Sequence, residues 1–277
     1  MKIKELISSG RAKLGENNIV DYGIISKVLA KYILNMNDSE LIINESKEVS
    51  NEVEKSFFHA INEIVNGKPL QYITNKQEFM GLDFYVDENV LIPQPDTENL
   101  VEEVINICKK YDEPIKVLDM CTGSGAIAIS IAKNVDSANV SASDISEIAL
   151  DVAKRNAKKN EANIKFISSD MFKNISEKYD IIVSNPPYIK TSVIDELSES
   201  VQNEPHLALD GGEDGLKFYR ILAKYAKEYL NDNGFLCMEI GFDQKEKVEN
   251  LLIDNDYSNI YSKKDLSGND RIVIANK

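Results

Sequence analysis

The sequence predicts an α/β fold, a mostly parallel sheet covered by helices on both faces, preceded by a small helical domain. Three observations carry this. From residue 115 onward, short continuous apolar runs alternate with helical segments, the pattern of strands buried on both faces. The first 66 or so residues instead repeat apolar side chains at helix spacing. The last two strand-like runs follow each other with no helix between them, which calls for an antiparallel C-terminal edge.

The N-terminus, MKIKELISSGRAKLGE, is amphipathic and charged, without the apolar run of a signal peptide. Ile24, Ile25, Val28, Leu29, Tyr32, Ile33 and Met36 share one helix face, and Val53, Phe57, Ala60, Ile61, Ile64 and Val65 repeat it. Asn51 with Glu54 reads as a capping pair, and Gly67 followed by Pro69 ends that helix. Residues 1–74 are therefore expected to form a helical bundle, serving either stability or the docking of a partner. Residues 75–92 read as a β-hairpin linker around Gly81-Leu82-Asp83. Pro93 and Pro95 stop that strand, and Asp96 or Thr97 is placed to cap a helix carrying Leu100, Val101, Val104, Ile105 and Cys108.

Residues 93–277 are expected to form the larger domain. Strands are read at IKVLDM (115–120), NVSASD (139–144), IKFISSD (164–170), YDIIVSN (179–185), GFLCMEIG (234–241), SNIYSKKDL (258–266) and RIVIANK (271–277). Helices are read at Ala126–Lys133, Ile148–Lys159, Leu216–Leu230 and Lys245–Ile253.

Composition bounds the function. At 277 residues, 43% hydrophobic and 28% charged, the chain needs no staples for its core. Cys108, Cys121 and Cys237 lie far apart and only His59 and His206 could join them, so neither a disulfide framework nor a zinc site is expected. A reduced, cytoplasmic protein without a membrane span fits. The net charge of −14 sits almost wholly in the larger domain. Residues 1–74 hold 9 Lys and Arg against 10 Asp and Glu, the remainder 23 against 36. Such a surface repels phosphate backbones and counts against a nucleic-acid partner. The same charge also serves solubility alone.

Two motifs carry chemistry. VLDMCTGSGAIA (117–128) stands where a strand turns into a helix, and Gly123 and Gly125 let backbone approach a ligand closely. Ala128 breaks the dinucleotide fingerprint, so a ligand without pyrophosphate fits better. Asp144 ends the next strand and is placed to accept hydrogen bonds from both hydroxyls of a ribose. YDIIVSNPPY (179–188) ends a buried strand in Asn-Pro-Pro-Tyr, at the carboxyl edge where the glycine turn also lies. Asn185 Oδ1 and the Pro186 carbonyl can grip an NH2 group by both hydrogens, and Tyr188 offers a flat face for a planar group. An amide or aniline-like nitrogen has a delocalised lone pair. Two acceptors pulling on its hydrogens would pyramidalise it and aim that lone pair at an electrophile such as a sulfonium methyl. Positioning and fixed dipoles then do most of the catalysis, with no metal and no shifted general base.

These stretches resemble the HemK/PrmC family of release-factor glutamine methyltransferases. The matching residues are LIPQPDTE (91–98), LDMCTGSGAIAIS (118–130), Asp144, SDMF (169–172), VSNPPYI (183–189), EPHLALDGGEDG (204–215) and GNDRIVIA (268–275). The resemblance implies a class I (Rossmann-like) methyltransferase domain with a mostly parallel seven-stranded sheet and an antiparallel C-terminal edge. It implies S-adenosylmethionine as donor and, as acceptor, the glutamine of a Gly-Gly-Gln motif in class 1 peptide chain release factors. A monomer would suffice. Carried over by position, Cys121, Thr122, Gly123, Ser124 and Gly125 form the donor turn, with Asp144 on the ribose and Met171 or Phe172 near the adenine. Asn185 lies between donor and acceptor, while Pro186, Pro187 and Tyr188 line the acceptor slot. Cys121 replaces the family's usual glycine, and Gln94 stands where arginine is expected.

The remaining candidates are weaker. Asp119 either meets the donor's amino end or braces the turn. Glu239 points toward the crevice or makes a structural hydrogen bond. His59, His206 and Cys108 read as structural or surface residues. Two rival functions remain: a nucleic-acid amino-methyltransferase, which shares the Asn-Pro-Pro-Tyr box but lacks a basic cluster here beyond KRNAKK, and a non-catalytic nucleoside-binding protein.

Overall fold

The computed structural model describes residues 1–111 and 113–277. They divide into two compact units, Met1–Asn75 with Ser198–Asn203, and Lys76–Leu197 with Glu204–Lys277.

The first unit contains α1 (Ile3–Glu16), α2 (Tyr22–Leu34), α3 (Asp38–Ile43), α4 (Asn51–Val65) and α5 (Leu70–Thr74). Its core is built from Leu6, Leu14, Leu29, Phe57, Ile61 and Ile64. The expected face of α2 is only half right. Leu29 is buried, but Ile24 and Tyr32 are exposed, and Ser26 and Ala30 take the inward positions. Ser26 is tolerated there because its hydroxyl donates to the Ile7 carbonyl at 2.7 Å. At α4 the cap is Ser50 rather than Asn51, accepting from the Val53 N–H at 3.3 Å. Gly67 closes α4 at φ +87, donating to the Ile64 carbonyl.

The second unit opens with the hairpin β1 (Gln77–Phe79) and β2 (Leu82–Phe84), whose Phe79 and Phe84 pack edge to face. Then follow α6 (Pro95–Cys108), β3 (Ile115–Met120), α7 (Ala126–Asn134), β4 (Ala138–Asp144), α8 (Glu147–Lys159), β5 (Ile164–Ser168) and β6 (Tyr179–Ser184). Next come the single-turn helices α9 (Glu199–Gln202), which groups with the first unit, and α10 (His206–Leu209). The chain continues through α11 (Lys217–Tyr229), β7 (Leu230–Glu239), α12 (Lys245–Ile253), β8 (Ser258–Lys264) and β9 (Asp270–Asn276).

The seven long strands form one sheet in the order β5-β4-β3-β6-β7-β9-β8. All neighbours are parallel except β9, antiparallel to both β7 and β8. Alternate residues serve opposite faces, which explains the unbroken apolar runs. Val117, Ile181, Val183, Cys237 and Ile274 pack under α6 and α7. Leu118, Met120, Ile182, Leu236 and Val273 pack under α11 and α12. β5 is shorter than expected because the chain turns after Ser168. β7 starts four residues before Gly234, where Leu230 pairs with Tyr179 across a bulge.

The expected cap of α6 is also corrected. Gln94 occupies the N-cap with Pro95 in the first turn, so Thr97 lies inside the helix and its hydroxyl is free for another partner. Among the described residues, no helix is long and apolar enough to cross a membrane.

Candidate functional site

Both motifs end at the carboxyl edge of the sheet, because β3 and β6 are adjacent and parallel, with Met120 paired to Ser184. A cavity of about 520 Å³ lies there. Cys121, Gly123, Asp144, Met171, Asn185 and Pro187 line it, so six of the expected residues share one space. A larger groove of about 690 Å³ opens beside Lys116, Lys165 and Glu177, at the start of β3 and β5. Of the two motifs it carries only Tyr179, at the far end of β6 from Asn185, and Glu177 pairs there with both lysines.

The glycine turn is held from beneath. Asp119 is fully buried, and its Oδ2 accepts from the Thr122 hydroxyl at 2.5 Å and the Ala128 N–H at 3.1 Å. Of its two readings, bracing of the turn is what these contacts perform. Burial pushes its carboxyl up to about 7, against those two hydrogen bonds, and its Oδ1 is buried without a partner. Gly125 turns the chain into α7 at φ +82, and a Cβ there would meet Ile129 and Ala153 at 3.0–3.1 Å. A Cβ on Gly123 would enter open space on the cavity side. Cys121 sits at φ +62, a left-handed conformation that glycine adopts without cost, and its Sγ contacts Met171 Sδ at 4.0 Å.

Asp144 Oδ2 accepts from the Gly123 N–H and Oδ1 from the Ser146 N–H, each at 2.9 Å. Burial raises its carboxyl above the ordinary value while these N–H groups draw it back. Each oxygen keeps a further lone pair for a ligand.

Thr122, Ser124, Gly125, Pro186 and Tyr188 do not line the cavity. The first two are buried beneath the turn, Gly125 shapes it, and Pro186 is buried beside Asn185. Phe172, expected near the donor, turns away from it. It stacks on Tyr229 at 4.8 Å within the core, which leaves Met171 alone at the cavity wall. His206 lies exposed on α10 and Cys108 is buried in the core, as read from sequence, whereas His59, read as structural, is exposed on α4 beside Glu63.

Sequence reasoning missed a second tier. Asn156 on α8 is buried and donates to the Ser124 carbonyl and the Tyr85 carbonyl, both at 2.9 Å, while its Oδ1 accepts from the Tyr85 N–H. It ties the glycine turn to the segment after the hairpin. Ile145, Leu207 and Phe218 also reach the cavity. Only Ile145 left a trace in the sequence, as a large apolar residue directly after the strand-end aspartate.

The Asn185 side chain stands over a buried polar cluster. Its Nδ2 donates to Thr97 Oγ1 at 3.3 Å, and the Thr97 hydroxyl donates to Glu239 Oε2 at 2.6 Å. The Tyr188 hydroxyl meets Glu239 Oε1 at 3.4 Å, and the Tyr219 hydroxyl donates to the Glu239 carbonyl at 3.0 Å. Glu239 is thus engaged in hydrogen bonds behind the crevice, the second of its two readings. Burial pushes its carboxyl up to about 7, against the Thr97 hydrogen bond and the charge of Arg271. Gln94, at the position of the expected arginine, donates to the Ile92 carbonyl at 3.0 Å.

The Methyltransferase small domain family matches residues 104–211, and the PrmC N-terminal domain family matches residues 5–74. The release factor glutamine methyltransferase of Clostridium acetobutylicum is 41% identical over 281 residues, covering 99% of this chain and 98% of that protein. The chain belongs to the release factor glutamine methyltransferase family. A relative of the same name from Streptococcus pneumoniae is 40% identical, with coverage of 99% and 98%. A methyltransferase structure from Pyrococcus furiosus superposes with a TM-score of 0.54 at 19% identity, over 79% of this chain and 98% of that one, and shows the fold alone.

The enzymes of this family are S-adenosylmethionine-dependent methyltransferases, and S-adenosylmethionine is the donor here. The cavity suits that donor. The open space over Gly123 admits backbone contact, and the Asp144 carboxylate keeps lone pairs for a sugar.

Proposed function

We propose that this methyltransferase acts on the side-chain amide nitrogen (N5) of a glutamine in a class 1 peptide chain release factor, that of its Gly-Gly-Gln motif. Cys121, Gly123, Asp144, Met171 and Asn185 would contact the donor, with Thr122, Ser124 and Gly125 holding the turn. Asn185, Pro186, Pro187 and Tyr188 would form the acceptor slot. The single observation that carries the reading is the shared cavity: Asn185 lines the same space as Gly123 and Asp144, and its Nδ2 is already engaged by Thr97. Its Oδ1 is therefore the atom left to accept.

S-adenosylmethionine, when bound, supplies a methyl carbon made electrophilic by the attached sulfonium. The protein does the rest by orientation. Asp144 fixes the sugar through the lone pairs that Gly123 and Ser146 leave free. Asn185 Oδ1 and the Pro186 carbonyl each accept one hydrogen of the glutamine amide, which draws its nitrogen out of plane and directs the lone pair along the transfer axis. Tyr188 flanks the planar amide. These dipoles are fixed before reaction, so they cost no reorganisation during it. As the nitrogen–carbon bond forms the methyl–sulfur bond would break, leaving S-adenosylhomocysteine, and the cationic, acidic nitrogen would give its proton to solvent without a dedicated base.

The first unit would supply docking surface for the release factor. The enzyme would work in the cytoplasm as a monomer, since one acceptor per site requires no second copy. A transfer assay with tritiated donor and purified release factor, total RNA and DNA tests the reading. Label should enter the release factor and vanish when its Gly-Gly-Gln glutamine is replaced. Label in RNA or DNA with none in the protein would overturn it.

A further inference from the structure

The acceptor slot depends on which way the Asn185 amide faces. An asparagine flipped by 180° about its last bond would present NH2 to the incoming glutamine NH2, donor against donor, and the clamp would fail. Asn185 itself does not fix this choice, because both ends of the amide are similar in size. Something behind it must.

The polar cluster beneath β6 and β7 fixes it by a chain of donors and acceptors. Glu239, at the end of β7, is 2% exposed, and once it is ionised, above about pH 7, its carboxylate can only accept. The Thr97 hydroxyl, 2.6 Å from Oε2, has one hydrogen and gives it to that carboxylate. What remains on Thr97 Oγ1 is a lone pair, and the group 3.3 Å away must then be a donor. Only the Nδ2 end of Asn185 qualifies. The other carboxylate oxygen of Glu239 meets the Tyr188 hydroxyl at 3.4 Å, so the same residue also steadies the flat wall of the slot. Glu239 is kept in place in turn by its own backbone, whose carbonyl accepts from Tyr219 at 3.0 Å. Arg271, paired with Asp265 at 3.0 Å and Asp96 at 3.2 Å, supplies the compensating charge nearby.

We propose that Thr97 and Glu239 are positioning residues that set the polarity of the catalytic amide: Glu239 makes the Thr97 hydroxyl donate, and Thr97 thereby holds Asn185 with its oxygen toward the crevice. Neither touches the acceptor. The inference deepens the glutamine-methyltransferase reading and rests on it for its kinetic consequence, but the side-chain orientation can be read without any substrate.

The test compares Thr97→Val, which keeps the shape and removes the lone pair, with Thr97→Ser, which keeps the hydroxyl. In the first arm, NMR follows hydrogen exchange of the Asn185 side-chain amide in the full chain, with Asn185→Ala used for assignment. Wild type and Thr97→Ser should show one protected Nδ2 proton, and Thr97→Val should lose the protection. Equal protection in all three proteins overturns the proposal, whatever the substrate is. In the second arm, release-factor methylation and donor binding are measured on the same proteins. Thr97→Val should lower kcat by roughly 10- to 100-fold with donor Kd unchanged, the size expected for a misaimed reacting group. Thr97→Ser should stay within a few-fold of wild type. Glu239→Gln, whose amide can either accept from Thr97 or donate to it, should fall between. A Thr97→Val enzyme with wild-type kcat, or one whose loss lies only in donor binding, would overturn the relay. Absence of release-factor methylation by the wild-type enzyme would count against the glutamine reading instead, and the first arm would still decide the relay.

Discussion

The two walls of the crevice differ in the reach of the contacts that hold them. The glycine-turn wall combines short-range bonds, Asp119 to Thr122 three residues on and Asp144 to Ser146 two residues on, with Asp144 to Gly123 across 21 residues and Asn156 to Ser124 across 32. The Asn-Pro-Pro-Tyr wall is held by side chains remote in the chain. Thr97 lies 88 residues from Asn185 and 142 from Glu239, and Tyr188 lies 51 from Glu239. The glycine-turn wall therefore has a local strand-turn-helix frame that β4 and α8 brace. The Asn-Pro-Pro-Tyr wall exists only after β6, β7 and the start of α6 have come together. On the proposed reading, the first wall would hold the donor and the second would set the direction of one amide.

This contrast predicts that damage to the two walls separates binding from turnover. The largest effect should come from Asn185→Ala, with kcat reduced by roughly 10²–10³, as for loss of a preorganised group at a reacting centre. Donor affinity measured by calorimetry should be nearly unchanged. Abolished donor binding with intact turnover would erase the distinction between the walls. Asp144→Ala should do the converse, weakening donor binding by about 1–3 kcal/mol through the lost hydrogen bonds while kcat at saturating donor changes little. Titration calorimetry alongside saturation kinetics separates the two.

Each wall also holds one buried carboxyl that burial has pushed up to about 7, Asp119 under the turn and Glu239 behind Asn185. A carboxyl raised above its ordinary value binds its proton more tightly in the folded chain than in the unfolded one. The stability these two carboxyls contribute should therefore be full below about pH 4 and be lost as pH rises through about 7. Glu239→Gln and Asp119→Asn should each make that fall shallower. Urea midpoints at pH 5 and pH 8 would show it, and parallel slopes in wild type and both variants would contradict the assignment. The smallest effect is expected at Cys121. Its φ of +62 already suits glycine, so Cys121→Gly should change stability by less than about 1 kcal/mol and leave donor affinity within a few-fold. Thermal melts with and without donor would reveal a larger role for the sulfur contact to Met171.

How far the sequence could be read follows the same division. The seven strands, the antiparallel edge and α12 were legible because apolar periodicity is local, and the bounds of α12 fall where the spacing puts them. The Gly-rich turn and Asp144 were legible because their spacing is itself the structure. The fine caps were not: Ser50 rather than Asn51 begins α4, and Pro95 displaces the start of α6 to Gln94. The choice between Met171 and Phe172 stayed open because nothing in SDMF says which of two adjacent apolar residues reaches the cavity. Packing against Tyr229 decides that.

By itself, then, the sequence determined the order of the long elements and the place of the glycine turn and of the Asn-Pro-Pro-Tyr box at strand ends, all of which depend on neighbours a few positions away. It could not determine what stands behind the clamp. Thr97 reads as a helix cap, and Glu239 as a strand-end carboxylate facing the crevice or hydrogen bonded without a named partner, until the sheet order sets β7 beside β6. Only the tertiary fold brings a buried carboxylate, a hydroxyl and an amide into line, because hydrogen bonding acts over about 3 Å and has no knowledge of distance along the chain.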